Sequence, residues 1–90
     1  MKAERQRKLF ELIFAQAGGR CSYCGIEVRR RGPGLHRAPD LATLDHVQPR
    51  AMAGQTVPDN LVLACQACNN ERGIRDAEEF RREKRRSSRL

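Results

Sequence analysis

The four cysteines of this sequence occur as two Cys-x-x-Cys pairs, Cys21/Cys24 and Cys65/Cys68. A gap of two residues lets two thiolates of one tight turn reach the same ion. Two such pairs complete the tetrahedral geometry of structural zinc. The alternative is a pair of disulfides in a secreted domain. Three of the opening residues 1–5 are charged, and they show no apolar signal segment, so we expect a cytoplasmic protein that holds structural Zn²⁺.

An Asp-His dipeptide, Asp45-His46, lies between the two cysteine pairs, and Asn60 and Asn69 follow it. Thirteen residues separate His46 from Asn60, and eight separate Asn60 from Asn69. Taken singly, each has an ordinary structural explanation as a strand residue, a turn residue or a helix cap. Their order within a frame of four cysteines instead indicates a second, open metal site with a histidine base.

The charge of the chain indicates a polyanionic partner. Its 90 residues include 18 Lys and Arg against 11 Asp and Glu, which gives a formal net charge of +7. The arginines cluster at 29–31 and 81–86, and the planar guanidinium group suits bidentate contact with phosphate. A solvated surface is the alternative for either run alone. Together they favour nucleic acid, because phosphate neutralisation drives affinity without base contacts.

The elements that must position these residues are predicted from periodicity and turn signals. Residues 3–17 carry apolar side chains at helical spacing and end at a glycine pair, so we predict an amphipathic helix. Four further elements are predicted: strands at 41–47 and 61–63, a short helix at 69–72, and a basic helix to about residue 86. Asp76 would be the N-cap of the basic helix. We expect Tyr23 and Ile26 to pack on the core.

Ninety residues form one small domain, which apolar burial alone would stabilise only marginally. We therefore expect a single domain over residues 1–90, with a bound metal supplying stability that the core lacks. No apolar run approaches the length of a membrane span, so we expect no contact with a membrane.

Three segments, 21–25, 44–50 and 59–73, carry the cysteine pairs and the polar residues in a fixed order. Together they resemble the HNH endonuclease family, in the branch with two Cys-x-x-Cys knuckles around a ββα-metal motif. The resemblance covers about residues 20–75 and leaves a basic tail at 81–90. It implies a small α+β fold stapled by a four-cysteine zinc site, with an N-terminal helix and a basic C-terminal helix. It also implies metal-dependent hydrolysis of phosphodiester bonds in DNA.

The resemblance assigns a role to each polar residue. His46 would be the general base, since imidazole can accept a proton from water at neutral pH. Asp45 and Asn69 would bind a catalytic Mg²⁺ or Mn²⁺, because these hard ions prefer oxygen ligands. Asn60 would brace the loop and orient the histidine. Arg72 lies where the family often has a lysine and would contact phosphate.

The expected partner is double-stranded DNA, and the predicted contacts are all arginines: Arg29, Arg30, Arg31, Arg50, Arg72, Arg81 and Arg82. His36 is expected on the surface. The resemblance to the family is the only ground for expecting that this protein comes from a phage or a mobile element. The loop at 49–55 departs from the family pattern because it lacks a paired glycine, which leaves the loop conformation open.

Two other functions remain open. The first is a non-catalytic, zinc-stapled DNA-binding module, which explains the charge and the cysteines equally well. It does not explain why the Asp-His dipeptide and both asparagines occur in register, since binding alone requires none of them. The second is a nuclease subunit that acts only with a protein partner, such as a phage packaging or restriction component. The bases read, if any, do not follow from the sequence.

Overall fold

The computed structural model describes residues 2–32, 34–35, 37–49 and 52–88. These residues form three α-helices and two strands, in the order α1 (Lys2–Gln16), β1 (Ala42–His46), β2 (Leu61–Cys65), α2 (Gln66–Arg72) and α3 (Ala77–Ser88), with a short 3₁₀ helix at Pro58–Asn60 before β2. The predicted α+β class is confirmed, as are the helices at both ends. His36 and Arg50 lie outside the described residues. None of the described helices is long and apolar enough to cross a bilayer.

The two strands form an antiparallel hairpin that leads directly into α2. Ala42 lies opposite Cys65, and His46 lies opposite Leu61. The hairpin and α2 together make a ββα unit. The strand β2 is longer than predicted and α2 begins earlier, because the Cys65 sulfur accepts a hydrogen bond from the Cys68 backbone N–H and caps the helix.

Helix α1 covers one side of the hairpin with the face that the sequence predicted. Ile13 is buried, while Phe10 and Phe14 are partly buried against the core. The helix ends before Gly18 and Gly19, whose φ angles are 64° and 70°. This left-handed backbone is the usual way to terminate a helix and favours glycine.

Tyr23 and Phe80 join the first cysteine knuckle to α3. Their rings meet edge to face with centroids 5.1 Å apart, and both side chains are fully buried. Asp76 caps α3 as predicted, since its Oδ2 accepts from the Glu79 N–H at 3.0 Å. The prediction for Ile26 was wrong, because its side chain is 43% exposed. Its carbonyl accepts from the Cys21 N–H, which holds Ile26 at the outer turn of the knuckle.

Candidate metal centres and catalytic residues

The four cysteines form one cluster of free thiols. Their sulfurs all lie within 4.8 Å of one another, and those of Cys24 and Cys65 are 3.8 Å apart. In a tetrahedral site with Zn–S bonds of about 2.3 Å, neighbouring sulfurs are separated by about 3.8 Å. Backbone N–H groups of Tyr23 and Cys24 point to the Cys21 sulfur at 3.4 and 3.5 Å, which favours the thiolate. The cluster therefore fits a structural zinc site, as predicted.

The thiols of this cluster differ in how readily they lose a proton. Burial opposes charge on Cys21, but the backbone donors around it, led by Cys24, outweigh burial and hold the pKa of Cys21 below its usual value. Burial raises the pKa of Cys65 to about 11. Burial and the hydrogen bond with Cys65 raise the pKa of Cys68 well above its usual range. A divalent cation would offset the mutual repulsion of four thiolates, which is why metal binding and folding are coupled at such sites.

The carboxylate of Asp45 is held by one of its two oxygens. Oδ2 accepts from the Tyr23 hydroxyl at 2.5 Å and from Arg72 Nη1 at 2.7 Å. In the part of the chain that the structure describes, Oδ1 has no hydrogen-bond partner, and the side chain keeps an exposed fraction of 9%. One oxygen is thus fixed in orientation, while the other has no hydrogen-bond partner among the described residues.

The amide of Asn69 is oriented by a threonine. The Thr43 hydroxyl donates to the carbonyl of Ala64 at 2.8 Å, and Asn69 Nδ2 donates to Thr43 Oγ1 at 3.0 Å. Because a hydroxyl has a single proton, Thr43 can only accept from Asn69. The NH₂ group of the amide therefore points at Thr43. Asn69 Oδ1 has no partner among the described residues.

Two parallel cross-links join one face of β1 to one face of α2. Thr43 and Asp45 are two residues apart on the strand and share a face, whereas Asn69 and Arg72 are one turn apart on the helix. The pairs Asn69–Thr43 and Arg72–Asp45 connect these faces. Both predicted ligands consequently border the same strand–helix interface. Their uncommitted oxygens are the donor type that Mg²⁺ and Mn²⁺ prefer.

Asn60 closes the loop that follows β1. Its Oδ1 accepts from the Gln48 N–H at 2.8 Å, and its Nδ2 donates to the carbonyls of Gln48 and Gln55 at 3.1 and 2.8 Å. Thr56, which follows Gln55, contacts the imidazole of His46, with Oγ1 and Nε2 2.9 Å apart. The loop that Asn60 braces therefore carries the partner of the histidine ring.

Arg72 is buried, which contradicts the predicted phosphate contact. The residue is 1% exposed, and its guanidinium nitrogens bind groups of the protein. Nη1 donates to Asp45 and to the carbonyl of His46, Nη2 donates to the carbonyl of Val47, and Nε donates to that of Arg75, all between 2.6 and 2.7 Å. Arg72 positions the end of β1 against α2.

The predicted arginine run after the first knuckle divides into paired and unpaired residues. Arg29 forms a bidentate pair with Asp40 at 2.8 and 2.9 Å. Arg30 forms an ion pair with Glu11 of α1. Arg31 is exposed and has no ion-pair partner among the described residues. Two of these three predicted DNA contacts are thus engaged within the protein.

The remaining predicted DNA contacts lie on α3 or outside the described residues. Arg81 is half-buried, and its Nε is buried without a hydrogen-bond partner in the described part of the chain. Arg82 is exposed and lines a cleft together with Glu79 and Glu83. Arg50 lies outside the described residues. Positively and negatively charged side chains therefore lie next to each other on the surface of α3.

Tyr23 is a site residue that the sequence reasoning assigned only to the core. Burial raises its pKa well above the usual range, and the hydrogen bond and the charge of Asp45 raise it further. The hydroxyl therefore remains a donor to Asp45 at neutral pH. One sequence signal pointed to this residue: it is the single tyrosine of the chain and lies inside the first knuckle.

A ββα unit held by a four-cysteine cluster, with Asp-His on the first strand and Asn on the helix, defines a nuclease-type domain. Residues 21–75 match the model of the HNH endonuclease family. The match spans more than half of the chain, and the protein belongs to this family. A search of curated proteins found no match.

Proposed function

We propose that this protein is a metal-dependent endonuclease that hydrolyses phosphodiester bonds in double-stranded DNA. One observation carries the proposal: Asp45 and Asn69 each keep an uncommitted oxygen at the same strand–helix interface, and His46 is the next residue along β1. Membership of the HNH family supports nuclease chemistry. The net charge of +7 supports a nucleic-acid substrate.

Zinc has a structural role in this proposal. Four thiolates would fill the coordination sphere and leave no position for water, as in closed structural sites. The ion would tie the first knuckle to the junction between β2 and α2. Tyr23 and Arg72, which hold Asp45, lie in the first knuckle and one turn after Cys68 respectively. The zinc site therefore supports the candidate catalytic site from both sides.

His46 is the general base. Its Nε2 is engaged by Thr56, so Nδ1 is the ring nitrogen left to accept the proton of the attacking water. The water oxygen forms a bond to phosphorus, the bond to the 3′ oxygen breaks, and solvent supplies the proton of the new hydroxyl. Asp45 and Asn69 would hold the divalent cation, which neutralises charge on the phosphate and the departing oxygen.

A non-catalytic DNA-binding module is the second candidate, and the Arg72–Asp45 ion pair favours it. A guanidinium group at 2.7 Å from Oδ2 offsets the negative charge that would attract a cation. Such a module would bind DNA with or without Mg²⁺. It would also tolerate loss of His46.

Cleavage of a supercoiled plasmid separates these functions. Wild type and His46→Ala are compared with Mg²⁺, with Mn²⁺ and with neither. Omitting the ion is preferable to a chelator, because a chelator would also remove zinc. Circular dichroism and zinc content show that both proteins are folded. Thr56→Ser, which keeps the hydroxyl beside the ring, serves as a matched control that should still cleave.

Metal-dependent nicking or linearisation that is lost in His46→Ala supports the endonuclease and its base together. DNA binding by wild type without cleavage favours the non-catalytic module or a subunit that requires a protein partner. Equal cleavage by both proteins would remove His46 as the base.

A further inference from the structure

An open cleft between α1 and β1 is lined both by arginines and by candidate site residues. It has a volume of about 740 Å³, and its lining includes Arg7, Arg30 and Arg31. Thr43 and Asn69 also line it. No Asp or Glu occurs among the described residues that line it. The cleft thus leads from exposed positive charge to a predicted ligand of the catalytic ion.

A second cleft, of about 640 Å³, continues this surface past the beginning of α2. Arg31 and Gln66 line both clefts, and Arg37 and Asn70 line the second one. Its described lining also lacks acidic residues. We refer to the continuous surface that carries Arg7, Arg31 and Arg37 as the arginine groove.

The three arginines of the groove are available to an external anion. All three are exposed, and none has an ion pair or hydrogen bond with another described residue. Arg30 differs, because Glu11 neutralises it and its guanidinium group stacks 4.1 Å from the centroid of Phe14. Three like charges on one surface repel each other unless an anion binds between them.

Helix α3 carries more arginines than the groove, but acidic side chains lie next to them. The cleft on its surface is lined by Glu79, Arg82, Glu83 and Arg86. The two carboxylates place negative charge beside the two guanidinium groups, although Glu83 itself pairs with Arg75. This cleft therefore attracts a phosphate less than a cleft whose lining lacks acidic residues. The acidic residues beside α3 therefore distinguish its surface from the arginine groove. The runs of arginine in the sequence do not show this difference.

We propose that the arginine groove binds the sugar-phosphate backbone of duplex DNA and leads one strand to Asn69. The inference rests on the proposed function and specifies where its substrate lies. Planar guanidinium groups suit phosphate oxygens, and contacts of this kind position the duplex without reading its bases. Arg29, Arg30 and the α3 arginines play no major part in this contact.

Fluorescence anisotropy of a labelled duplex tests the groove. The groove variant carries Arg7→Gln, Arg31→Gln and Arg37→Gln, and the control variant carries Arg82→Gln, Arg85→Gln and Arg86→Gln. Both variants lose the same charge from exposed side chains. All proteins are zinc-loaded and are titrated without Mg²⁺ or Mn²⁺, at several salt concentrations, so that binding is measured without cleavage.

We expect the groove variant to lose more than about ten-fold in affinity. The magnitude of its slope of log K against log salt should fall by about 2.7, since each of the three phosphate contacts contributes about 0.9. The control variant should lose less than about three-fold in affinity. Equal losses in the two variants, or a larger loss in the control, would overturn the groove while leaving the proposed function intact. Wild type that fails to bind the duplex at low salt would overturn both.

Discussion

Arg72 and Asp45 form a buried ion pair between α2 and β1, with Nη1 and Oδ2 2.7 Å apart. The same guanidinium group binds the carbonyls of His46 and Val47 where β1 ends. Cys68 lies one turn before Arg72 on α2. The helix that carries half of the second knuckle therefore also fixes the strand that carries the candidate ligand and base.

Loss of Arg72 should strongly destabilise the fold. Arg72→Met leaves the Asp45 carboxylate buried without its charge partner, which typically costs about 3–5 kcal/mol. Arg72→Lys should recover part of this loss, because lysine keeps the charge but cannot reproduce the planar fork. Urea unfolding of the zinc-loaded proteins measures the difference, with exposed Arg82→Met as the control. A free energy of unfolding for Arg72→Met within about 0.5 kcal/mol of wild type would contradict a structural role.

Tyr23 should remain protonated well above pH 10. It is the only tyrosine, and the chain has no tryptophan, so the ultraviolet absorbance of tyrosinate reports on this residue alone. Burial and Asp45 raise its pKa in the folded state. The associated stability is fully present below the unfolded pKa of about 10 and decreases as the pH rises above it. Asp45→Asn should lower this pKa, whereas titration of wild type near pH 10 while folded would contradict the burial of the hydroxyl.

Removal of one cysteine ligand should abolish zinc binding and unfold the domain. Cys65→Ser removes a thiolate and also weakens the cap of α2. Bound structural zinc contributes on the order of 10 kcal/mol in comparable small domains, which is comparable to the whole stability of a typical fold of this size. Zinc content by mass spectrometry and helicity by circular dichroism measure the effect. Ser22→Ala, in the first knuckle, is the matched control and should stay metallated and folded.

Asn60→Ala should release the loop that presents Thr56 to His46. The substitution removes three hydrogen bonds of a half-buried side chain, and we expect a loss of about 1–3 kcal/mol in the free energy of unfolding. The rate constant of cleavage should fall while DNA affinity stays within about two-fold, since the loop orients the base. Asp59→Ala, at the exposed neighbouring residue, is the control. Unchanged cleavage by Asn60→Ala would show that the loop does not position His46.

The parts of the fold that depend on neighbours in sequence were predicted well. The apolar face of α1 with its glycine end, the N-cap Asp76 and the two cysteine knuckles each occupy a few consecutive residues, so their spacing alone specifies their geometry. The Asp45-His46 dipeptide was placed on a strand for the same reason. Ile26 was assigned wrongly because hydrophobicity predicts burial on average, whereas its position was decided by the turn at the tip of the knuckle.

By itself, the sequence predicted the cluster of four cysteines that fits a metal site, the order of the two strands and the helix, and the polar residues proposed for the candidate site, because residue type and spacing carry that information. Only the tertiary structure decided which arginines are available to a phosphate. Arg72, Arg29 and Arg30 find carboxylates that are 27, 11 and 19 residues away. Such pairs depend on how helices and loops pack around the hairpin. Charge neutralisation depends on distance in space, and that distance exists only after the chain has folded.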